Sequence, residues 1–123
     1  MVRTGDELPL YSTSAGRVFA ADMHPERARR ILEKTPRYKA TPYTKIDMEE
    51  LEKELERIRV QGYSVIDEEL QIGIQGVSCP IRDYRGKIVA ALAATTVKSE
   101  NSITAELIDR LKYYAGEISG QII

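Results

Sequence analysis

The chain has 123 residues, 42 % of them hydrophobic and 30 % charged. That is enough for one domain burying roughly two-thirds of its unfolded surface, and too apolar for a disordered segment. Eighteen Lys and Arg against nineteen Asp and Glu leave a net charge of −1, without the basic excess of a domain that grips nucleic acid through phosphates. A single cysteine excludes an internal disulfide, and one Cys with one His cannot build the usual zinc sites. No apolar run reaches the roughly 18 residues of a membrane span, and there is no charged-then-apolar leader at the N-terminus. The totals therefore predict a cytoplasmic domain with no cofactor, no metal, no membrane contact and no direct nucleic-acid contact.

In chain order, Leu8–Ala21 reads as a short extended entry that ends at a Ser/Thr cluster and runs into an apolar helix from about Ser14 to Ala21. Such a helix start offers unpaired N–H groups and the positive end of a dipole, which suits a small carboxylate. Arg17 in its first turn has a guanidinium fork that matches two carboxylate oxygens, or is an exposed helix arginine. A second helix follows Pro25, with Ala28, Ile31 and Leu32 as its buried stripe and a break at Thr35-Pro36. His24 caps it or lies on the surface.

Asp47 opens the clearest helix, as N-cap with Glu50 in a capping-box arrangement; Met48, Leu51, Leu55 and Ile58 give it an apolar face, and Gly62 its left-handed cap. Tyr63–Asp67 predicts a strand, Glu68–Gly76 an irregular segment, Val77–Arg82 a second strand, and Lys87–Val97 its return after a hairpin loop at Asp83–Gly86. Ile103, Leu107, Ile108, Leu111, Ala115, Ile118 and Ile122 mark a long amphipathic helix starting at Ser102. Helices, then an antiparallel hairpin sheet, then a helix define an α+β fold.

Few residue clusters suggest chemistry. Asp67-Glu68-Glu69 is a general acid/base set or a solvated strand end. Gly73 and Gly76 let backbone approach a ligand or allow a bulge. Cys79 reads as a small buried residue, the Tyr113-Tyr114 pair as a packing element, and the small side chains of Ala90–Ala94 with Thr95 and Thr96 as room for a helix or a ligand over the sheet.

Four ordered segments carry a resemblance: Leu8–Arg17 (LPLYSTSAGR), Glu54–Tyr63 (ELERIRVQGY), Val65–Leu70 (VIDEEL) with Gly73, and Pro80–Gly86 (PIRDYRG) running into Val89–Leu92 (VAAL). Together they resemble the effector-binding domain of IclR-type bacterial transcription regulators, closest to the PcaR/PcaU/PobR subgroup. The resemblance implies a GAF/PAS-like curved antiparallel sheet with flanking helices, and a small organic acid held on the sheet. By motif, Ser14, Ala15, Gly16 and Arg17 would meet the carboxylate, Asp67, Ile74, Gly76 and Val77 would line the loop side, and Ala93 and Thr95 would form the floor. Some relatives have cysteine and serines where this chain has Gly76, Ala93 and Thr95. The implied effector is thus larger and more apolar than glyoxylate or pyruvate: an aromatic acid or its dicarboxylate breakdown product.

The family's regulators begin with a winged helix-turn-helix and the opening strands of the effector domain, which do not precede Met1. The resemblance therefore implies that residues 1–123 are the C-terminal, larger part of an effector domain. Its sheet edge would be open, and a homo-oligomer, dimer or tetramer, is expected. Two other functional classes stand beside this one. One is a small enzyme using Asp67 or Glu68 as base, for which no nucleophile–base pair or metal set is present. The other is a ligand-free oligomerisation module closed by Phe19, Ile74 and Val77.

Overall fold

The computed structural model describes residues 3–98 and 102–122. Four helices flank a three-stranded antiparallel sheet in the order β1-β2-β3. The elements are α1 (Ser14–Asp22), α2 (Pro25–Lys34), α3 (Met48–Gln61), β1 (Ser64–Asp67), β2 (Ile74–Arg82), β3 (Ile88–Val97) and α4 (Ala105–Ser119).

Local chemistry fixes the element ends. Thr13 caps α1, its Oγ1 accepting the Gly16 N–H at 2.9 Å. His24 caps α2 through Nδ1, which accepts the Glu26 N–H at 3.3 Å, with Pro25 in the first turn. Asp47 caps α3 by accepting the Glu50 N–H, and Gly62 ends that helix at φ 83°. Asp83 organises the hairpin loop by accepting the N–H groups of Arg85 and Lys87.

Three boundaries differ from expectation. β2 starts at Ile74 rather than Val77, because Gln75 and Gly76 pair with both Asp67–Ile66 and Thr96–Thr95. The cap of α4 is Thr104, which accepts the Leu107 N–H, and not Ser102. Tyr113 and Tyr114 are exposed and touch each other edge to face instead of packing inward.

Strand alternation then sorts side chains between two faces. The register places Ser64 opposite Ser78 and Ile66 opposite Gly76, while β3 sets Ala93 against Ser78 and Thr95 against Gly76. These residues face α1. Val65, Val77 and Ala94 form the next row and face α4, where Val77, Cys79, Ile81, Leu111 and Ala115 make one core. A second core lies among the helices, with Tyr11, Ala20, Ala21, Ala28, Leu32, Leu51, Leu55 and Ile58. Cys79 belongs to the first, and burial pushes its thiol up in spite of Lys112. α1 is therefore sandwiched between the sheet and α3.

The entry segment crosses the start of α1 very closely. A Cβ on Gly16 would lie 2.6 Å from the Pro9 carbonyl oxygen, 2.6 Å from Thr13 Oγ1 and 2.7 Å from Leu10 Cα. Two of those three atoms are backbone, so the clash cannot be relieved by a side-chain rotation. Gly16→Ala is expected to destabilise the domain by about 1–3 kcal/mol, read as a lower midpoint in urea with an unchanged slope.

Candidate functional site

A cavity of about 700 Å³ opens where the start of α1 meets the sheet. Thr13, Ser14 and Ala15 supply one wall. Ile66, Gly76, Ala93 and Thr95 supply the sheet floor. Leu70 and Gln71 close it from the β1–β2 loop with Ile74 at the start of β2, and Asp6, Glu7 and Leu8 form its rim on the entry segment. Gly76 has a specific role: a Cβ there would lie 3.3 Å from Ile66 Cγ1 and 3.4 Å from Ser14 Oγ. The bare backbone lets α1 settle against β2, where the Ser14 and Ser78 hydroxyls share a buried 2.7 Å hydrogen bond. With the Gly16 N–H taken by Thr13, Ser14 and Ala15 hold the helix-start amides without an acceptor inside the helix.

Of the ten residues singled out in the sequence, Ser14, Ala15, Ile74, Gly76, Ala93 and Thr95 come together at this cavity. Four do not. Gly16 is buried under the entry segment. Val77 is in the opposite row of β2, fully buried against α4. Asp67 shares that opposite row and is held at the surface by Lys98 at 3.0 Å and by the Gln75 amide at 3.1 Å.

Arg17 is the largest correction. It is completely buried, and both ends of its fork are taken by a carboxylate of the protein itself. Nη1 donates to Glu69 Oε2 at 2.8 Å, Nη2 to Glu69 Oε1 at 2.6 Å, and Nε to the Tyr11 carbonyl at 2.7 Å. The fork chemistry expected for a ligand is present, but the partner is internal. Nor is Glu69 part of a solvated strand end: it is 2 % exposed and also accepts the Lys45 N–H at 3.0 Å.

This pair places the loop that closes the cavity. Next to Glu69 are Leu70 and Gln71, two of the lining residues. Thr41 and Thr44 donate their hydroxyls to the carbonyls of Glu68 and Glu69, and Glu68 takes a left-handed φ of 57°. Burial raises the Glu69 carboxyl pKa. The hydrogen bonds and charge of Arg17, with the Lys45 N–H and ammonium, outweigh that and hold it below the usual carboxylate range.

Sequence reasoning missed Asp6, Glu7, Leu8, Thr13, Ile66, Leu70 and Gln71 as lining residues, and read Glu69 only as part of an acid/base set or a solvated strand end. Ile66 was readable from strand alternation once the facing of β1 was known. The Arg17–Glu69 contact joins positions 52 apart, with no local signal. Among the described residues there is no group of His, Cys, Asp and Glu able to hold a metal ion, and no helix is long and apolar enough to cross a membrane.

With the fold and cavity in hand, comparison with known proteins is decisive. Residues 1–120 match the family model described as "Bacterial transcriptional regulator IclR C-terminal". This chain belongs to the IclR family. It is an effector-binding domain of the transcription-regulator type, not an enzyme. The Pca regulon regulatory protein of Pseudomonas putida is 36 % identical over 92 residues, which cover 75 % of this chain and 32 % of that protein. The crystal structure of Thermotoga maritima IclR superposes with a TM-score of 0.85 at 35 % identity, over 99 % of this chain and 51 % of that one. The inducer-binding domain of Acinetobacter PobR, solved as a double mutant with 3-hydroxy benzoic acid, shares the fold, with a TM-score of 0.90 at 24 % identity over 96 % of this chain and 69 % of that one. The chain thus spans about a third to a half of the full-length IclR relatives it matches.

Breaking the buried pair should be costly, because the remaining charge would have no partner. Glu69→Gln is expected to lose about 3–5 kcal/mol. Glu69 contributes stability fully above the unfolded carboxylate's ordinary value of 4.5, and this is lost as pH falls through the lower folded value. Denaturation from pH 7 to pH 3 should show an acid decline below about 4.5 that is shallower in Glu69→Gln.

Proposed function

We propose that this chain senses a small carboxylate effector, an aromatic acid in the leading case, and thereby controls operator binding by the full-length cytoplasmic regulator. The observation that carries this reading is the convergence of Ser14, Ala15, Ile74, Gly76, Ala93 and Thr95 on one cavity at a helix start. The carboxylate would sit on the Ser14 and Ala15 amides, where the helix dipole favours an anion. The rest of the ligand would lie over Gly76, Ala93 and Thr95, under Leu70 and Ile74.

The floor has no cysteine, and its one hydroxyl-bearing side chain, Thr95, is itself exposed. Such a surface favours a ring or chain over a two-carbon acid. The likeness to a Pca regulon regulator supports an acid from aromatic breakdown. A ligand-free module is disfavoured, because Ile74 lines an open cavity while Val77 lies on the far side of the sheet. Effector binding would act by shifting a pre-existing equilibrium between subunit arrangements.

The oligomer proposal rests on β3. Its ten residues from Ile88 to Val97 contain no charge and form the outer strand of the sheet, with Val89 and Val97 each 47 % exposed. One register shift at Val89 interrupts it near its start, and the strand from Ala90 to Val97 then runs uncharged and regular, whereas natural edge strands this long are normally protected along their length. Light scattering should give a dimer or tetramer; a monomer over a wide concentration range would overturn it.

Titration calorimetry with a panel of aromatic acids should find a binder. Ala93→Phe should abolish that binding while leaving the melting temperature within a few degrees, because Ala93 is exposed on the cavity floor. Binding unchanged in Ala93→Phe would place the effector elsewhere.

A further inference from the structure

The inference here deepens that effector reading and rests on it. It concerns charge. The chain carries 18 Lys and Arg, yet no cationic side chain is among the described residues lining the cavity. The three cations beside the loop that closes it are neutralised internally. Arg17 is bound by Glu69 at 2.6 and 2.8 Å, Lys45 lies 3.5 Å from the same carboxylate, and Lys98 lies 3.0 Å from Asp67 and 3.8 Å from Glu68.

The cavity's own charged residues are both acidic. Asp6 and Glu7 stand on the rim, exposed. Asp6 accepts the Arg3 backbone N–H at 2.8 Å, which fixes its carboxylate without neutralising it. Among the described lining residues only the helix-start amides are electropositive, and a dipole end equals only about half a charge. Leu8, Ile66, Leu70 and Ile74 supply apolar lining.

A ligand with one carboxylate satisfies this arrangement, with its anion on the amides and its body against the apolar wall. A second carboxylate would share the cavity with Asp6 and Glu7, with no cation among the described lining residues to receive it. We propose that the cavity selects a monocarboxylate with an apolar body and rejects a dicarboxylate, and that Asp6 and Glu7 set this preference.

Benzoate and terephthalate share a ring and differ by one carboxylate; hexanoate and adipate are the matching open-chain pair. Calorimetry on the unmodified chain should show benzoate or hexanoate binding at least about tenfold more tightly than its dicarboxylate. The gap should shrink as salt rises, because exposed charges are screened. In the double variant Asp6→Asn with Glu7→Gln, the dicarboxylate should gain more affinity than the monocarboxylate, so that the gap between them closes.

Equal binding of both members of a pair, tighter binding of a dicarboxylate, or a gap that survives the double variant would overturn the proposal and leave the effector reading intact. Failure of all four acids to bind would overturn the effector reading itself, and this selectivity with it.

Discussion

The two-pronged contact between Arg17 and Glu69 is the constraint on which the site depends. It ties the first turn of α1 to the start of the β1–β2 loop, two segments that each contribute a cavity wall. The pair is fully desolvated, so Coulomb attraction alone would not justify it; the hydrogen bonds must saturate both groups. They largely do. Arg17 reaches the Tyr11 carbonyl with its third direction, and Glu69 takes the Lys45 N–H. The tie therefore also recruits the entry segment and the 41–45 connection, whose two threonines hold the carbonyls of Glu68 and Glu69.

A second constraint is the period of a strand. With period two, each strand of the sheet must serve a core on one face and a cavity on the other. β2 shows the division most clearly. Val77, Cys79 and Ile81 go to the α4 core, while Gly76 and Ser78 go to α1. The α1 side can then be small and polar because its helix packs twice, against this sheet face and against α3 through Ala20 and Ala21. Gly76 sits where α1 approaches β2 and a Cβ would be tight, and Gly16 where the entry segment leaves no room for one.

Much of this was legible in advance. Thr13 to Ala15 announce a helix start, Asp47 and Gly62 bracket α3, and Asp83 with Gly86 makes the hairpin; each depends on chemistry within a few residues. The α+β architecture and the place of the cavity also followed from order and motif. What was not legible depends on long-range pairing. The resemblance implies Val77 at the ligand, but its facing is set by the register with β1 and β3, not by its neighbours in sequence. Arg17 reads from its own position as a carboxylate ligand or an exposed helix arginine, and the resemblance implies the former; the carboxylate that claims it lies 52 positions away. Tyr113 and Tyr114 look like core residues by type, but lie off the buried face of α4.

The Arg17 correction also changes how the cavity can recognise an acid. A guanidinium would grip any carboxylate strongly and geometrically, whatever body is attached to it. Backbone amides at a helix start offer a weaker, shorter-range field, so the apolar wall must supply a larger share of the affinity. On the proposed reading, recognition would depend on the shape over Gly76, Ala93 and Thr95 and on the position of Leu70 and Ile74. Leu70 follows directly on Glu69, and Ile74 opens β2 at the far end of that loop. With Arg17 committed to Glu69, specificity on that reading would lie in the geometry of the loop that the pair holds.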